Sequence, residues 1–140
     1  WQTYLGPTKG FDEMVFNLVP YSDADGNTLA VLNNRQGSAG VAVAYNTHQL
    51  PVLTLWKNTD TRAQGYVTGI EPGTSYAYST KYQRPLGLVP KIQPGETKTF
   101  DLTYRLLRNG EEVKQALAQV EKIQGGRATE LRAQPLVKLP

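Results

Sequence analysis

The sequence contains no cysteine, one histidine and one methionine. Lack of cysteine excludes disulfides, thiolate nucleophiles and Cys-based metal sites. A single histidine excludes a His-rich zinc site, so neither a metal nor a cofactor is expected. No run approaches the ~20 apolar residues of a membrane span, and no basic n-region followed by an apolar stretch opens the chain. The compartment is therefore not fixed, with the cytoplasm favoured slightly over the periplasm. Gly-rich phosphate loops and the Gly-x-Ser-x-Gly elbow are missing as well. Net charge is +3, but Lys9, Arg35, Lys57 and Arg62 are the only basic residues among the first 80. The remainder are spread singly. Without a basic cluster interleaved with aromatics, nucleic acid is not an expected partner. The first residue is Trp1 and the only methionine is Met14, so the chain reads as a fragment.

What is present is the punctuation of an all-β chain. A length of 140 residues suits one domain, with 13 Gly and 9 Pro falling between short apolar runs. Strands are predicted over Met14 to Val19, Thr28 to Leu32, Val41 to Tyr45, Val52 to Trp56 and Tyr66 to Glu71. Asp25-Gly26 between the first two suggests a hairpin. The polar stretch Lys57 to Gln64 reads as a loop, and Pro72-Gly73-Thr74 as a turn. Thr99 to Leu106 alternates cleanly, with Phe100, Leu102, Tyr104 and Leu106 on the expected core side. From Val113 to Ile123 apolar residues recur at helical spacing, ending at Gly125-Gly126. Residues 134 to 140 read as a strand or a tail. The fold class is thus mostly β, an antiparallel β-sandwich with one short C-terminal helix.

Few side chains carry chemistry. Asp23-x-Asp25-Gly26-Asn27 resembles part of a calcium loop, yet its Gly comes a position early and the closing Glu is missing, so a turn is the better reading. His48 lies in a polar connector, where its titration range would suit proton transfer. Glu71 closes a strand, with Gly69 on the same face leaving space before the carboxylate. Trp56 and Lys57 end the preceding strand, and an aromatic beside a carboxylate suits a pyranose, whose apolar face stacks on the ring. Tyr66, Tyr76, Tyr78 and Tyr82 add phenols nearby.

These residues carry a family likeness. Leu50-Pro51 through Trp56-Lys57-Asn58, followed by Gly65-Tyr66 through Gly69-Ile70-Glu71-Pro72-Gly73-Thr74, resembles the late segment of aldose 1-epimerase-like (galactose mutarotase-like) proteins, in a bacterial branch. Pro94-Gly95-Glu96-Thr97 before the alternating strand also fits, and the likeness spans residues 11 to 124. It implies the C-terminal part of a β supersandwich that binds a sugar in a cleft. Glu71 matches the Glu that takes the anomeric proton, with Trp56, Lys57 and His48 as substrate-binding residues. The resemblance places the histidine that supplies the acid upstream of Trp1, and His48 does not occupy its position. The expected function is sugar anomer interconversion in the full-length protein, with the fragment inactive alone. The alternatives are a non-catalytic carbohydrate-binding sandwich or a purely structural sheet module. Expected partners are a sugar and a missing N-terminal segment, or a second chain, covering bare sheet edges.

Overall fold

The structure, a computed structural model, describes residues 1–134. Two antiparallel sheets form the body. One has the order β1-β4-β5, built from Met14–Leu18, Val52–Thr59 and Tyr66–Gly73. The other has the order β2-β3-β6, built from Asn27–Asn33, Gly40–Asn46 and Thr103–Leu107. A one-turn helix α1 (Thr80–Gln83) leads into a 3-10 turn, and α2 (Gly110–Gln124) follows β6. The stretch 135–140, for which a strand or tail is expected, lies outside the described residues.

Three apolar clusters hold these layers. Val43, Tyr45, Leu50 and Leu53, with Leu18, Ala30 and Ile70, fill the space between the sheets. On its other side the second sheet packs Leu29, Ala42 and Leu107 against Val113 and Ala116 of α2. Ala42 and Ala44 are small where the helix comes close, while Val43 and Tyr45 are large where the other sheet lies. Ala42 and Ala44 therefore serve one core and Val43 and Tyr45 the other, as the alternation of β3 predicts. The third cluster, Val52, Tyr76 and Leu88, lies under the segment that follows β5.

Several local expectations are corrected. β1 pairs with β4, not β2, so Asp25-Gly26 marks a crossing between sheets rather than a hairpin. The turn itself is held by Asp23, whose Oδ1 accepts the Asp25 and Asn27 amides at 3.0 and 2.8 Å. Those amides, Asn27 foremost, hold the Asp23 carboxyl below its usual range. β4 continues to Thr59 through the stretch expected to be a loop. β5 continues through Pro72, which pairs with Leu53; an edge strand tolerates a missing N–H.

The largest correction concerns the alternating segment. Pairing begins only at Thr103, and the inward residue is Leu107, 2% exposed, against α2. Tyr104 and Leu106, expected in the core, are 66% and 70% exposed. They do face the same side as Val43 and Val41, their partners. However, β6 is the edge strand, and Val43 rather than β6 meets the first sheet.

Candidate functional site

The site is built on the outer face of the first sheet. Directly paired residues share a face, and faces alternate along a strand. Trp56 therefore stands beside Val15 of β1 and Gly69 of β5, and Thr54 beside Asn17 and Glu71. All six side-chain positions point away from the second sheet, because Leu53 and Ile70 of the opposite parity are the ones buried against it.

One end of this face is covered and the other is open. Residues following β5 fold back over it, tied by Gln83, which is fully buried. Its side chain accepts from the Tyr76 amide at 3.0 Å and donates to the Tyr76 and Tyr78 carbonyls, each at 2.9 Å. The Ala77 amide donates to Asn17 Oδ1 at 2.9 Å, fastening the segment to the sheet. Beyond that cover, Val15 and Val67 are half exposed.

Glu71 sits between the two zones and is exposed. A Cβ on residue 69 would collide with its carboxyl group. The carboxylate thus folds into the space glycine leaves, toward the position across from Trp56. The indole N–H of Trp56 donates to Glu13 Oε2 at 2.7 Å, which fixes the ring by its rim. The ion pairs among the described residues are Lys98–Glu96 and Arg132–Glu130, so none of those residues pairs its cation with Glu71. A carboxylate beside an anchored aromatic ring can accept a hydroxyl hydrogen while the ring supports an apolar face.

The other two sequence candidates lie elsewhere. Lys57 is one residue from Trp56 and so points to the inner face of the sheet. There it is 4% exposed. It donates to the carbonyls of Trp1 and, at 2.8 Å, of Thr3, under the Tyr4 ring at 4.2 Å. Burial pulls its pKa below the usual lysine value. His48, in the β3–β4 turn, packs its imidazole against Gly26, leaving no room there for a side chain. It borders a groove of about 750 Å³ together with Thr74, Leu86, Ile92, Lys98 and Phe100. The structure therefore unites Trp56 with Glu71 and leaves Lys57 and His48 apart from them.

Sequence reasoning missed Glu13 and Asn17, whose roles depend on cross-strand register, and Gln83, whose side chain ties down the loop just before it. The tyrosines divide. Tyr66 donates inward to the Leu5 carbonyl at 2.6 Å, Tyr76 is buried, and Tyr78 and Tyr82 meet edge to face at 6.3 Å.

This architecture, an antiparallel sandwich of two sheets, has a solved counterpart. It is a candidate aldose 1-epimerase from Klebsiella pneumoniae subsp. pneumoniae MGH 78578, 54% identical, superposing with a TM-score of 0.88 over 91% of this chain. The chain spans 33% of that protein, about a third of its length. The chain is aldose 1-epimerase-like in the sense of that likeness. It belongs to the family described as Domain of unknown function (DUF4432), whose model matches residues 1–106. No curated protein matches.

Proposed function

We propose that this chain forms the sugar-handling part of an aldose 1-epimerase-like protein, with Glu71 as the general base. The observation carrying the reading is the Glu71 carboxylate itself: without an ion pair among the described residues, folded over Gly69, and directed to the face where Trp56 stands. A pyranose stacked on Trp56 would present its anomeric hydroxyl to that carboxylate. Glu71 takes the hydroxyl proton, and the electron pair left on that oxygen closes to a carbonyl as the bond from C1 to the ring oxygen breaks. The ring oxygen takes a proton from an acid that the resemblance places outside this chain. Rotation and closure from the opposite face, with the proton transfers reversed, give the other anomer.

Polarimetry on a protein of the solved relative's length carrying this sequence tests the reading. Glu71→Gln preserves shape and removes the base, so the mutarotation rate should fall by about 10²- to 10⁴-fold. Sugar binding, read by quenching of Trp56 fluorescence, should survive. Full rate in Glu71→Gln would remove the base assignment. Binding without rate enhancement in the unaltered protein would instead favour a non-catalytic carbohydrate-binding module, which the same ring and carboxylate would serve.

A further inference from the structure

Trp56 stands between two neighbours on the outer face of the first sheet, Val15 of β1 on one side and Gly69 of β5 on the other. Its ring can lean toward either, and one bond decides the direction. The indole carries a single polar group, the Nε1–H donor, which donates to Glu13 Oε2 at 2.7 Å. Glu13 immediately precedes β1, so the acceptor lies on the β1 side and the ring is drawn that way. On the β5 side no side chain rises from Gly69, and the Glu71 carboxylate occupies that space instead. An indole released from Glu13 and turned toward β5 would lie over Gly69 and cover the carboxylate. Glu13 and Glu71 are both exposed, so burial does not hold this arrangement. A charge-assisted hydrogen bond, shorter and stronger than a neutral one, does.

We propose that Glu13 is a positioning residue that keeps the sugar site open: by tethering the indole toward β1, it leaves the gap between the ring and Glu71 clear for a sugar. The inference rests on the reading of Trp56 and Glu71 as that site and adds to it a residue that acts through the ring. Its physical content is competition. With the tether cut, the indole and the sugar compete for the surface over Gly69, and the sugar binds more weakly. Once bound, the sugar has displaced the ring and meets Glu71 as before. Affinity therefore falls while the chemical step keeps its rate.

Mutarotation kinetics of Glu13→Ala and Glu13→Gln, each in the protein extended to the solved relative's length, test the proposal. Glu13→Ala should raise KM about tenfold, the effect of one lost charge-assisted hydrogen bond, with kcat unchanged within about twofold. Glu13→Gln keeps an acceptor oxygen and should return KM to within about threefold of the unaltered value. The Trp56 indole N–H resonance, identified by its loss in Trp56→Phe, should shift and exchange faster in Glu13→Ala and recover in Glu13→Gln. An unchanged KM in Glu13→Ala overturns the proposal, including one accompanied by a lower urea midpoint, which would make the bond a structural tie. So does a fall in kcat at constant KM, which would place Glu13 in the chemical step. Either result leaves Glu71 as the base. If the unaltered protein binds sugar without accelerating mutarotation, the base assignment falls instead. Sugar dissociation constants then carry the same test, with the same weakening in Glu13→Ala and the same rescue in Glu13→Gln. Absence of sugar binding overturns both readings.

Discussion

Lys57 shows how one residue's parity decides its role. Its neighbour Trp56 faces outward, and Lys57 faces inward with an ammonium held by two main-chain carbonyls and, among the described residues, by no carboxylate. Burial penalises the charged form, so its folded pKa lies below the 10.5 of a free lysine. At neutral pH both states are protonated and the penalty is complete. As pH rises through the folded pKa, the unfolded chain binds more protons than the folded one, and stability rises. The stability of the unaltered protein, measured by urea titration, should therefore climb relative to Lys57→Met as pH approaches 10.5. A constant difference across that window would show the ammonium to be solvated.

Elements are decided by their ends as much as by their apolar pattern. α2 starts where the Asn109 side chain accepts the Glu112 amide at 2.9 Å, and Glu112 reaches back to the Arg108 amide at 2.8 Å. It stops at Gly125 in the left-handed region, φ 59°, where glycine is least strained. Asn109→Ala should destabilise the protein by about 1 kcal/mol, measured by chemical denaturation. No change would mean that packing of Val113 and Ala116 alone holds the first turn. This helix was legible in sequence because its spacing, cap and stop are local. The extent of the alternating strand was not. Its pattern shows a face, but only the position of β6 at a sheet edge decides that Leu107 is covered and Leu106 is not.

At the scale of the molecule, the inter-sheet cluster should make unfolding a single event. Leu53, 7% exposed, belongs to the first sheet and packs with Val43 and Tyr45 of the second. Leu53→Ala should cost about 2–5 kcal/mol. In a Trp1→Phe background, Trp56 fluorescence reports the first sheet and far-ultraviolet circular dichroism reports α2. Both transitions should shift together; if only the fluorescence moves, the sheets unfold independently.

The sequence by itself determined the β class, the approximate strands and the terminal helix, because periodicity, turn chemistry and caps act over a few residues. It also singled out Glu71 and Trp56 and pointed to the aldose 1-epimerase likeness. Only the tertiary structure decided which of these residues meet. Register across β1, β4 and β5 sets Trp56 beside Gly69 and Glu71 beside Thr54, turns Lys57 to the opposite face, and leaves His48 in another groove. Strand pairing is a contact between segments distant in the chain, so no local pattern encodes it.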